Sequence, residues 1–90
     1  MTELLYQTDS YLREFDAVVT EIVGDGVVLD RTAFYPGGGG QPCDLGRLLT
    51  TDGVWKVVKV KHGENGIVHK LDRDPPPAGT RVIGCLDWER

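Results

Sequence analysis

Arg47-Leu48-Leu49-Thr50-Thr51-Asp52-Gly53-Val54-Trp55-Lys56-Val57-Val58-Lys59-Val60-Lys61-His62 is the stretch that decides the fold. Asp52-Gly53 is one of the stronger short hairpin signals, because tight hairpin turns need backbone conformations that Asp and Gly accept and most residues do not. Short apolar and β-branched runs flank it, so residues 47–50 and 54–62 read as two antiparallel strands. The alternation in the second strand is imperfect. Val54, Val58 and Val60 share one face with Lys56, while Lys59 and Lys61 fall opposite, beside Trp55 and Val57. Such a strand belongs at a sheet edge or on a barrel wall.

Downstream, Gly63-Glu64-Asn65-Gly66 forms another turn and residues 67–71 return as a strand. Pro75-Pro76-Pro77 followed by Ala78-Gly79 makes a rigid surface loop that leads to a last strand over 81–88. Upstream, residues 14–23 are rich in β-branched types, Gly24-Asp25-Gly26 turns the chain, and residues 27–29 complete a second hairpin. Only a weak turn around Ser10 to Glu14 has helical potential. Six or so short strands, with turn signals every 8 to 12 residues, predict an all-β protein: a small closed or nearly closed β-barrel. An OB-like barrel and a barrel of the translation-factor type would produce nearly the same pattern.

Between these hairpins lies Asp30-Arg31-Thr32-Ala33-Phe34-Tyr35-Pro36-Gly37-Gly38-Gly39-Gly40-Gln41-Pro42-Cys43-Asp44-Leu45-Gly46. Four consecutive glycines cost backbone entropy that a small domain can ill spare. They imply backbone conformations closed to other residues, or a surface that must approach the loop without Cβ atoms between. Pro36 and Pro42 fix φ on either side, so the loop is expected to hold one shape.

Composition bounds the rest. Ninety residues with 40% apolar content suffice for one domain, residues 1–90, with a modest core. No apolar run is long enough to cross a bilayer as a helix, and Met1-Thr2-Glu3 does not begin a signal peptide, so a cytoplasmic location with no membrane partner is expected. Cys43 and Cys85 form no CxxC pair and read as reduced thiols. Net charge is −4, but residues 1–55 carry a balance of −6 and residues 56–73 one of +3. The acidic total argues against strong sequence-independent binding of nucleic acid, and leaves room for a local contact through Lys56, Lys59 and Lys61. The competing reading is a solvated hairpin whose lysines guard an edge.

The string Thr32-x-Phe34-Tyr35-Pro36-x-Gly-Gly-Gly-Gln41-Pro42-x-Asp44-x-Gly46 resembles the glycine-rich motif of the alanyl-tRNA editing proteins, the AlaX family, and of the editing domain of alanyl-tRNA synthetase. Ser10-Tyr11-Leu12-Arg13-Glu14-Phe15 and Leu86-Asp87-Trp88-Glu89-Arg90 extend the resemblance over nearly the whole chain. It implies the N-terminal barrel domain of a longer editing protein, with a barrel like those of translation factors. In that family a helix with His-x-x-x-His zinc ligands follows a segment like Asp87-Trp88-Glu89-Arg90, so zinc, the catalytic groups and the C-terminal editing domain are expected beyond residue 90. The implied partner is tRNA(Ala) mischarged with serine or glycine, which a site built for alanine cannot strongly exclude. Gly37 stands where many relatives carry an acidic residue, so no role of that carboxylate transfers.

Within the chain the resemblance places Thr32, Gly38, Gly39, Gly40 and Gln41 near the aminoacyl group. Thr32 offers a hydroxyl and Gln41 an amide, each able to donate and accept. Their structural alternatives are a strand-end threonine and a loop glutamine tied to the backbone. Phe34 and Tyr35 read as core or loop anchors. A P-loop needs Lys and Ser/Thr after its last glycine, and Gln41-Pro42 stands there. A zinc site from His62, His69, Cys43 and Cys85 has suitable ligand types but no known spacing, and both histidines read as solvated, flanking a hairpin turn. No metal site and no catalytic residue is therefore expected in this chain, and by itself it is not expected to be an enzyme. The contrasting reading is a free-standing barrel that binds RNA or protein and performs no chemistry.

Overall fold

The computed structural model describes residues 3–7, 12–37 and 43–87. Among these, eight strands form: β1 Glu3–Leu4, β2 Glu14–Val23, β3 Gly26–Leu29, β4 Arg31–Thr32, β5 Gly46–Thr50, β6 Gly53–His62, β7 Ile67–Leu71 and β8 Arg81–Leu86. One 3-10 turn, Leu5–Gln7, is the only helical element among the described residues. Six strands close a barrel in the order β2-β3-β7-β6-β5-β8, every neighbouring pair antiparallel. The remaining two, β1 and β4, pair in parallel beside it. Six strands in this order set aside the five-stranded OB arrangement.

Closure depends on the two long strands. The first half of β2 pairs with β8 and its second half with β3, and a register shift between Val19 and Glu21 lies at the handover. β6 repeats the device, pairing with β5 up to Val57 and with β7 from there on, with a shift between Val57 and Lys59. An extra residue bends the strand and sharpens its twist, which is what a small sheet needs to curl onto itself.

The β6 shift corrects the expected faces. Trp55, Val57 and Val60 all point into the barrel, which strict alternation forbids. Val58 is the inserted residue, and after it the parity reverses. Lys56, Lys59 and Lys61 therefore share the outer face, where strict alternation had placed Lys56 opposite the other two.

Inward residues of every barrel strand, among them Phe15, Val19, Leu29, Leu48, Val60, Leu71 and Val82, form one core cluster. Two glycines admit rings into it. A Cβ on Gly84 would collide with the Phe15 ring, and one on Gly46 with the Cys85 carbonyl and the Phe34 ring. β8 ends two residues before the predicted limit, and Trp88 and the expected turn residues 10 and 11 lie outside the described residues.

Candidate functional site

Residues 33–36 lead from the end of β4 to the glycine run, and the roots of the run are tightly specified. Thr32, the last residue of β4, is completely buried, as are Phe34 and His69. The Phe34 main-chain N–H donates to Thr32 Oγ1 at 3.0 Å, and Thr32 Oγ1 lies 2.7 Å from His69 Nε2. His69 Nδ1 lies 3.0 Å from the Val27 carbonyl oxygen. A carbonyl only accepts, so Nδ1 carries the proton, Nε2 accepts, and the Thr32 hydroxyl donates to it. Every polar atom of this interior pair then has a partner, as burial demands.

Burial pushes His69 down to about 4, outweighing the bonds with the Val27 and Ile67 backbone that favour its charged form. The imidazole is neutral at physiological pH. Its ring meets Phe34 edge-on at 5.4 Å, and Phe34 meets Phe15 in the same way at 5.7 Å.

Beyond Phe34, the two ends of the loop are clamped together by Asp44. Its carboxylate accepts the Tyr35 N–H at 3.1 Å, and its own N–H donates to the Tyr35 carbonyl at 2.8 Å. Tyr35 also meets Tyr6 edge-to-face at 5.4 Å. Gly37 opens the run with φ of +82°, a conformation that favours glycine.

Phe34 and Tyr35 are anchors, as expected. Thr32 turns its hydroxyl into the barrel, where His69 and Phe34 engage it, in place of an open position facing a ligand. His69 differs from the expected solvated histidine because β7 faces the interior at Ile67, His69 and Leu71, and one polar ring is admitted where Thr32 can meet it. Gly38, Gly39, Gly40 and Gln41 lie outside the described residues. Sequence reasoning missed His69 and the clamp by Asp44. The available signal was a histidine at an inward position of a strand between Ile67 and Leu71.

No three His, Cys, Asp or Glu side chains converge among the described residues. The nitrogens of His69 are both engaged, His62 is exposed on β6, and Cys43 and Cys85 are free thiols at partly buried positions. Burial and the nearby Glu14 carboxylate raise the Cys85 thiol above its ordinary range, which disfavours the thiolate a metal needs. Among the described residues the donors present do not fit the zinc of the resembling family.

Residues 6–90 match the family described as tRNA synthetases class II (A). The chain belongs to this family. Within the class II (A) synthetase family, it is 49% identical over 90 residues to an alanine–tRNA ligase of Pyrobaculum neutrophilum, covering 99% of this chain and 10% of the ligase. It is 50% identical over 93 residues to the alanyl-tRNA editing protein AlaX-M of Saccharolobus solfataricus, covering 100% of this chain and 39% of that protein. An alanine–tRNA ligase of Pyrococcus furiosus is 47% identical over 90 residues, again over 10% of its length. The chain thus spans well under half the length of each of these relatives. The resemblance drawn from the glycine-rich motif holds along the chain, in a ligase and an editing protein alike.

Proposed function

We propose that this barrel is the substrate-facing domain of a tRNA-editing hydrolase that removes serine or glycine from mischarged tRNA(Ala), with hydrolysis carried out at a zinc site in a C-terminal editing domain. The observation that carries this reading is the rooting of the glycine loop. A loop used only as a connection needs no buried Thr32–His69 pair beneath it and no Asp44 clamp across its ends. Such fixtures set where the loop begins and ends, and positioning is what a site discriminating by one methyl or hydroxyl group requires. Gly38, Gly39 and Gly40 would face the aminoacyl end without Cβ atoms, and Gln41 would supply a hydrogen-bonding amide. Thr32 acts one step back, as a positioning residue that holds the loop root through His69.

The partner is mischarged tRNA(Ala), and Lys56, Lys59 and Lys61 contribute contacts to its backbone. That all three share the exposed face of β6 supports this assignment. A cytoplasmic setting follows from that substrate.

A domain exchange tests the reading. This chain replaces the matching segment of the Saccharolobus solfataricus editing protein, and the chimera is assayed on Ser-tRNA(Ala), Gly-tRNA(Ala) and Ala-tRNA(Ala). Release of serine or glycine with Ala-tRNA(Ala) spared is the expected result. A folded chimera that deacylates none of them, or all three at one rate, overturns the proposal.

A further inference from the structure

The β6 bulge does more than help close the barrel. It gathers side chains that the sequence scatters over two faces, and it does so where the neighbouring strands present cations too. Arg47 on β5 is the direct cross-strand partner of Lys56, and Lys70 on β7 is the direct partner of Lys59. All four are exposed, as is Lys61 two residues beyond Lys59. Half of the chain's ten Lys and Arg residues therefore stand on one wall of a protein whose net charge is −4.

Like charges placed directly opposite each other on a sheet destabilise it, and a sequence selected for folding alone would alternate their signs. This wall holds two such pairs on adjacent strands. The anions nearest it lie at its margins, among them Glu14, which stands beyond Cys85, the cross-strand partner of Arg47 on β8. Asp25 is 3.7 Å from Lys70 Nζ, and Asp72 spends an oxygen on the Lys56 main-chain N–H at 3.0 Å. A ligand carrying regularly spaced negative charge would relieve the repulsion that these leave.

No described aromatic ring stands on this wall. Trp55 points inward from β6, with Arg73 stacked 4.2 Å over its ring and its Nε1 donating to the Asp74 carbonyl at 2.7 Å. Single-stranded RNA is gripped by stacking bases on exposed rings, whereas a helical stem is held through its phosphates and sugars. Three strands give a face about 10 Å wide, with same-face residues about 7 Å apart along each strand, which suits one backbone of such a stem.

We infer that the outer wall formed by Arg47, Lys56, Lys59, Lys61 and Lys70 is a preformed contact surface for the phosphate backbone of an RNA stem, aligned by the bulge at Val58. The inference rests on the RNA partner of the proposed function and adds Arg47, Lys70 and the bulge to it. It makes the wall a site for double-helical backbone without sequence preference, separate from the loop that addresses the aminoacyl group.

The test uses the whole chain, a labelled RNA hairpin of arbitrary stem sequence, and a single strand of the same length, with anisotropy titrations over a KCl series. Replacing Arg47, Lys59, Lys61 and Lys70 together by Gln should lower the slope of log Kobs against log[KCl] by about 3, at roughly 0.7 to 0.9 per lost phosphate contact, and weaken stem binding at least tenfold. A second readout needs no RNA. Lys59→Gln alone should raise the Tm of the free chain, because it removes one like-charged pair. Stem binding that depends on these side chains supports the wall even where the editing chimera is inactive, so the two readings fail separately. Unchanged stem affinity and salt slope in the quadruple variant overturn the inference, as does a single strand that binds as tightly as the stem and loses as much.

Discussion

Lowering the pH should destabilise this barrel through His69 before carboxylate protonation dominates. The folded state holds the imidazole at about 4, against 6.5 for an unfolded chain. Between those values the unfolded state binds the extra proton, so stability falls as pH drops below about 6.5 and levels once the folded ring also titrates near 4. Going from pH 7.5 to pH 4.5, the linkage relation gives a loss of about 2.5 kcal/mol from this one group. The cause is geometric. A protonated Nε2 would face a hydroxyl whose hydrogen already points at it, at a completely buried position. Urea unfolding followed by circular dichroism at both pH values measures the loss in the wild type and in His69→Gln, which does not titrate. Carboxylate contributions cancel in the difference between the two proteins. Equal losses in both would refute the reasoning, as would an imidazole resonance of His69 in the folded protein that titrates with a midpoint near 6.5.

Thr32→Val keeps the shape but strands the Phe34 N–H and His69 Nε2 in the core, and should cost about 2 to 3 kcal/mol in denaturant unfolding, while Thr32→Ser should recover most of it. Gly46→Ala drives a methyl group into the Cys85 carbonyl and the Phe34 ring and should lower stability by about 2 kcal/mol or more, seen as a drop in Tm. In the editing chimera, at least one alanine replacement among Gly38, Gly39 and Gly40 should leave the Tm nearly intact and block deacylation of Ser-tRNA(Ala). Gln41→Ala should lower kcat/KM about 10- to 100-fold with little change in stability. Wild-type rates in all four variants would reduce the loop to a structural turn.

The turns and most of the strands were legible in the residues because their causes are local. Asp52-Gly53 and the turn at 63–66 accept backbone conformations that neighbouring residues avoid, and they place the β5–β6 and β6–β7 hairpins where expected. The Asp30–Gly46 motif is equally local, a set of residue types in fixed order, and it was enough to point to the synthetase family that the whole-chain match shows. Tertiary structure alone decided which way side chains point. No residue in Val57-Val58-Lys59 announces a bulge. The extra residue is forced where β6 passes from β5 to β7 and the sheet must curl, and one inserted residue is enough to send every later side chain to the other face. The fate of His69 is likewise non-local. Its ring is neutral because the closed barrel buries it, and its tautomer is set by Thr32, 37 positions earlier, which meets Nε2, and by the Val27 carbonyl, 42 positions earlier, which holds the proton on Nδ1. A sequence pattern carries the period of a strand, but a hydrogen bond between distant strands exists only once the barrel has closed.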